Sequence, residues 1–291
     1  MITYNPKSWL KLIFHLTKSD TLAMLWKDLL FISIFTLGVA FLEIQFFPQA
    51  KVLDRLFSVY QILGFVISLL LVFRTNTAYD RWWEGRRKWG ELVNDSRNFA
   101  VKLTALELAE QENQFFARHI SNYAICLKEH LREGTEFKLL DLTPDETEFL
   151  KRVDHIPSGL VELLYQRLNT LKKSGAISEE DVLRLDRNLN GFLDVAGACE
   201  RIKNTPIPYS YSLFFKKFIF VYVTTLPLAF VVSFGYFAAI IATFIYYVLV
   251  SIEVLAEEIE DPFGRDDNDL PTDEMAVRIE GIVKTILKQT V

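Results

Sequence analysis

Only two cysteines, Cys126 and Cys199, occur in 291 residues, which excludes a disulfide framework and leaves two thiols to be buried in a core. Glycine and proline are scarce too, at 12 and 9, so collagen-like and low-complexity architectures are excluded. Cations are outnumbered, 32 against 37 carboxylates, and the net charge of -5 argues against a nucleic-acid binder. No alternating polar and apolar run of strand length occurs, so no sheet is expected. Catalytic signatures are missing: there is no G-x-S-x-G, P-loop or G-x-G-x-x-G, and an enzyme is not expected. The four histidines, His15, His119, His130 and His155, show neither H-x-x-x-H nor H-E-x-x-H spacing, so they read as solvated or core imidazoles rather than zinc ligands.

What the chain has instead is uncharged length. Hydrophobic residues make up 51% beside 24% charged, too apolar for an ordinary soluble protein and too charged for membrane spans alone. Leu29 to Leu42 carries no charge, and the run reaches Phe47 if Glu43 is admitted. Leu56 to Phe73 is uncharged over 18 residues, close to the ~20 that cross ~30 Å of hydrocarbon. Phe218 to Ile252 is uncharged over 35 residues, about 50 Å as one helix, and reads as two helices with a turn at Gly235 and a kink at Pro227. The expectation is an all-α membrane protein with four transmembrane helices per subunit, at 29–47, 56–73, 218–234 and 236–252.

The first run follows a polar leader and lacks a small-residue cleavage site, so it reads as a retained span rather than a signal peptide. Lys7, Lys11, Lys18 and Lys27 precede the first span, Arg74, Arg81, Arg86, Arg87 and Lys88 follow the second, and Arg201, Lys203, Lys216 and Lys217 precede the third. By the positive-inside rule all three sets face the cytosol, together with both termini. Trp26, Tyr60, Trp82, Trp83, Tyr246 and Tyr247 stand near span ends, as interfacial aromatics do. Segment 1–28 is then a cytosolic leader, 74–212 a cytosolic helical bundle and 253–291 a cytosolic C-terminal segment. Within the bundle, Thr143-Pro144-Asp145-Glu146 starts a helix, Leu160, Leu163, Leu164, Leu168 and Leu171 form a stripe closed by Gly175, and Ser178 with Asp181 resembles a capping box. No proline interrupts the chain after Leu56, so the second span should project unbroken into the cytosol.

Three features carry functional alternatives. Phe65, Leu69 and Phe73 recur every four residues and form one bulky helical stripe, which either packs or makes a hydrophobic constriction when several copies surround an axis. Asn204-Thr205-Pro206-Ile207-Pro208 cannot be regular helix and makes either a rigid elbow or a loop pointing Ile207 into a pore. Glu253 to Asp269 holds eight carboxylates against Arg265, reads by default as a solvated helix end, and lacks the EF-hand spacing.

Three segments, FRTNTAYDRWWEGRRKWGELVNDSRN after the second span, ERIKNTPIPYSY before the third and EIEDPFGRDDNDL after the fourth, resemble the bestrophin family, particularly its bacterial members. The resemblance covers nearly the whole chain and implies a homopentameric channel for monovalent ions in the bacterial inner membrane, its pore on the five-fold axis. It puts the family's hydrophobic neck on Phe65, Leu69 and Phe73, and its cytosolic aperture on Ile207. No cofactor is expected. Calcium is the one candidate, at Asp266 and Asp269 by resemblance to the animal members' clasp, and Arg265 weighs against it by standing where that clasp has an acidic residue. Animal members resemble chloride channels while bacterial members can favour sodium, and an uncharged neck does not choose between them. The rival readings are a secondary transporter, disfavoured by the few intramembrane ionisable groups, and a non-conducting membrane-anchored scaffold.

Overall fold

A computed structural model describes residues 20–47, 51–132 and 134–288. His15 and the leader lysines Lys7, Lys11 and Lys18 lie outside the described residues, among which helices follow one another and no strand occurs. Helix α1 (Thr21–Phe46) begins at Asp20, whose carboxylate accepts the Leu22 amide at 2.9 Å. It therefore starts ahead of the uncharged run at Leu29, because capping sets a helix end whereas hydropathy marks only the part suited to lipid. Helix α2 (Lys51–Thr104) runs 54 residues without a break, about 80 Å at 1.5 Å per residue.

The chain divides into two compact units. One holds the described residues up to Arg81 together with Pro206–Glu260 and Asp266–Asn268. In it, α7 (Tyr209–Thr225) and α8 (Pro227–Phe234) are separated at Leu226, just before Pro227, which has no amide hydrogen to continue the ladder. Gly235 follows with φ 54°, a left-handed conformation that glycine adopts at little cost. One 3-10 turn later α9 (Ala238–Glu260) doubles back, packing against α7, α8 and α1. The core of this unit joins Ile32, Ile67, Leu71, Phe215, Ile219, Leu226, Ala242 and Leu249. Gly64 lets α2 and α7 approach closely, since a Cβ there would lie 2.7 Å from the Tyr222 hydroxyl.

This unit wears its apolar residues outward as well as inward. Phe31, Ile34 and Phe41 on α1, Phe220 on α7 and Ile240 and Phe244 on α9 are all exposed, more apolar surface than water tolerates. By length and composition Thr21–Phe46, Leu56–Thr104 and Tyr209–Glu260 are each apolar enough to cross a bilayer, the last of them folded back on itself at Gly235. The protein is a membrane protein.

The other unit comprises Trp82–Thr205, Asp261–Arg265 and the described residues from Asp269. Its helices α3 (Glu110–His130), α4 (Pro144–Lys151), α5 (Ile156–Lys173), α6 (Glu179–Asn204) and α10 (Thr272–Ile286) join the second half of α2. Capping boxes at Thr143/Glu146 and Ser178/Asp181 start α4 and α6, and Gly175, φ 77°, follows the end of α5. Leu160, Leu164, Leu168 and Leu171 are buried and Leu163 half-buried, in a core with Trp89, Phe99, Phe116, Tyr123 and Phe192. Cys126 and Cys199 are core thiols that burial pushes up to about 12, which keeps them protonated and unreactive. His119 is a core imidazole, stacked on Phe115 and moved below its usual value by burial.

The C-terminal helix does not stand apart as its own segment, because α10 packs on α3. Asp273 in its first turn receives Arg132 at 2.6 Å and Lys128 at 2.7 Å. The Arg132 hydrogen bond, opposed by burial and reinforced by Lys128, holds the Asp273 carboxyl below the usual carboxylate value. A depressed carboxyl contributes stability that is complete above its unfolded value near 3.8 and is lost as pH falls through the lower folded value. Asp273→Asn is therefore expected to raise amide exchange across Thr272–Ile286 a few-fold at neutral pH. The gap between variant and parent should close only below about pH 4.

Candidate functional site

The stripe of Phe65, Leu69 and Phe73 lies on α2 with nothing over it in a single subunit, at 71%, 46% and 54% exposure. At 100° per residue these three fall within about 80° of one another, whereas Ile67, Leu71, Arg74 and Ala78 fall about 180–240° from Phe65. Those four are all buried. One face of the helix is thus consumed by the fold and the opposite face, bulky and apolar, is left open.

The second feature is the elbow after α6. Pro206 and Pro208 prevent helix, and the Ile207 backbone amide donates to Glu260 Oε1 at 2.7 Å, which fixes the turn from the side of α9. The other oxygen of Glu260 receives Arg74 Nη2 at 2.8 Å, and the Glu260 carbonyl accepts from Arg81 Nε at 3.0 Å. Arg74 has no solvent exposure and also lies 3.6 Å from Glu253, itself buried. One carboxylate thereby ties the end of the stripe to the elbow.

This corrects the reading of Glu253 to Asp269 as a solvated helix end. Glu253 is 3% exposed, the Glu260 side chain 12% and Asp269 2%. Glu253 and Glu260 answer Arg74, and Glu260 also answers the Ile207 amide, whereas Glu257, Asp261 and Asp266 of the same segment are exposed. Asp269 packs beside Gly264, where a Cβ would meet its Oδ2 at 2.7 Å, while Asp266 is exposed and falls in the other compact unit. Reading along the chain missed Arg74 and Glu260 as a pair; the only signal was an arginine at the very end of an apolar run, counted as one more flanking cation.

Elsewhere, in the second unit, a cavity of about 730 Å³ presents Arg118 and Arg167. Each is already committed to a carboxylate, Glu146 at 2.8 Å and Glu112 at 2.5 Å, so neither arginine offers an unmet charge to a ligand. His130 and His155, 25 residues apart in sequence, meet at Glu200.

The chain matches known proteins along most of its length. The model for the Bacterial/Fungal Bestrophin protein family fits residues 1–285. The chain belongs to the bestrophin family. This bestrophin is 33% identical to a voltage-dependent anion channel-forming protein of Nostoc sp., over 94% of this chain and 89% of that one. It is also 33% identical to the voltage-dependent anion channel-forming protein YneE of Escherichia coli K12, over 96% and 92%. Its fold is similar to the crystal structure of a bacterial bestrophin homologue from Klebsiella pneumoniae, with a TM-score of 0.82 and 25% identity over 90% of this chain and 98% of that one.

For this bestrophin, Glu260→Ala leaves Arg74 buried with only the 3.6 Å contact to Glu253 and the Ile207 amide without its acceptor. Removing one partner of a buried ion pair costs about 3–5 kcal/mol. Purified E260A is expected to unfold at a markedly lower temperature than the parent, whereas E260Q, which keeps the amide's acceptor, should lose less.

Proposed function

We propose that five copies of this chain form a passive anion channel, with Phe65, Leu69 and Phe73 as its hydrophobic neck and Ile207 as its cytosolic aperture. The observation that carries this reading is the exposed stripe on a helix whose other face is fully packed. A bulky apolar row that no part of its own subunit covers calls for lipid or for copies of itself, and copies around an axis make a constriction that gates by dewetting. The naming of its relatives as voltage-dependent anion channel-forming proteins supports anions as the permeant class.

The transmembrane arrangement belongs to the same proposal. We read four passes in α1, the apolar part of α2 and the two limbs that turn at Gly235; the flanking cations favour both termini, the rest of α2 and α3 to α6 on the cytosolic side of a bacterial inner membrane. A subunit with four passes has too few helices to enclose a wide water path alone, which favours an oligomer. Calcium has little to work with: Arg265 is exposed within the segment that would bind it, and no cofactor is invoked.

Purified protein in liposomes under a sodium chloride gradient is expected to show a reversal potential that follows chloride, shifts when chloride on either side is replaced by a large impermeant anion, and is unchanged when sodium is replaced by a large impermeant cation. A potential that follows sodium would overturn the anion reading, and absence of current would favour a non-conducting scaffold. Alanine at Phe65, Leu69 and Phe73 together should raise flux several-fold, and Ile207→Ala should change relative permeabilities with assembly intact. Chelating calcium is expected to leave the current unaltered.

A further inference from the structure

The last residue of α3, the cap of α5 and the middle of the final turns of α6 bring three metal-competent side chains to one point. Glu200 Oε1 lies 2.7 Å from His130 Nε2 and 2.5 Å from His155 Nε2. One donor atom from each of the three residues lies within 4.8 Å of the others, and all three side chains are partly open to solvent. The two imidazole planes stand at 85° to each other, so both Nε2 atoms converge on the carboxylate without the rings stacking.

We propose that His130, His155 and Glu200 form a binding site for a zinc-class divalent cation. Two imidazole nitrogens and one carboxylate oxygen are a borderline donor set, suited to zinc, cobalt or nickel and poor for calcium or magnesium, which take oxygen ligands in larger number. Zinc bonds to nitrogen and oxygen of about 2.0–2.1 Å put tetrahedral ligand atoms about 3.3 Å apart. Glu200 Oε1 would draw back from each imidazole nitrogen by less than about 1 Å while the two nitrogens, within 4.8 Å of each other, settle to the tetrahedral spacing, movements within reach of half-exposed side chains. Three protein ligands leave the fourth tetrahedral position to water.

His155 is already set for this role. Its Nδ1 lies 2.6 Å from the Ser158 hydroxyl. With the imidazole proton on Nδ1, His155 donates to Ser158 Oγ and turns the lone pair of Nε2 toward the site, the orientation in which ligating histidines are generally held. In the other tautomer Nδ1 accepts the Ser158 amide at 3.2 Å and Nε2 donates to Glu200, so the metal-free site closes as a hydrogen-bonded pair. Binding exchanges one arrangement for the other and cross-links α3, α5 and α6 within the second unit.

Untagged full-length protein in detergent, stripped with a chelator, should take up one zinc per subunit in competition with a chromophoric indicator, undisturbed by millimolar calcium or magnesium. His130→Gln and Glu200→Gln are each expected to weaken zinc by at least about 100-fold, and Ser158→Ala, a positioning change, by about 10–100-fold. Cobalt alone should give visible absorption of a four-coordinate ion in the parent. Zinc should also slow amide exchange around residues 128–132, 155–158 and 198–202 of the unmutated protein, a readout that does not depend on a variant folding. Failure of the parent to bind zinc, binding that survives both Gln substitutions, or protection elsewhere in the chain would overturn the proposal and leave the cluster as a hydrogen-bonded pair.

Discussion

Arg74 carries a full charge at a point with no solvent exposure, and much of the first unit is arranged around that fact. Removing a guanidinium from water costs several kcal/mol unless carboxylates and hydrogen bonds replace the hydration. Glu260 supplies a 2.8 Å contact and Glu253 a second negative charge at 3.6 Å, both from α9. Because Glu260 also accepts the Ile207 amide, the helix carrying the apolar stripe and the elbow carrying Ile207 are referred to a single carboxylate. Buried pairs of this kind are weak sources of net stability but strong constraints on register, since a helix slip leaves a charge uncompensated.

The same helix changes the character of its exposed face along its length. Up to Arg74, α2 buries Ile67 and Leu71 against the first unit and leaves Phe65, Leu69 and Phe73 bare. Beyond Trp82 it buries Trp89, Leu92, Phe99 and Leu103 in the second unit's core and exposes mainly polar side chains, among them Arg87, Glu91, Asn94 and Asn98. The helical ladder satisfies every interior backbone group internally, so in the proposed channel one uninterrupted helix would serve both a bilayer and water. In the proposed channel this continuity carries the pore wall past the neck without a joint.

Much of the architecture was legible along the chain because it rests on short-range rules. Capping residues at Thr143 and Ser178, the left-handed glycines at 175 and 235, the helix break before Pro227 and the leucine stripe all act within a few residues of themselves. The start of α1 was less legible: Asp20 caps it well before the charge-free run begins, since hydrogen bonding and hydropathy need not end together. The Phe65, Leu69 and Phe73 periodicity was visible, but not which face of α2 the fold would consume.

Residue order alone determined that the chain is helical, that its long uncharged stretches suit a bilayer, and that the family is bestrophin, because periodicity, charge distribution and motifs are properties of neighbouring residues. Folding decided which polar groups would meet. Arg74 finds Glu260 across 186 residues, and His130 finds Glu200 across 70. Such pairs are chosen by where packed helices place their ends, and no local spacing encodes them; that Glu253, Glu260 and Asp269 of the acidic run turn inward was therefore decided only in three dimensions.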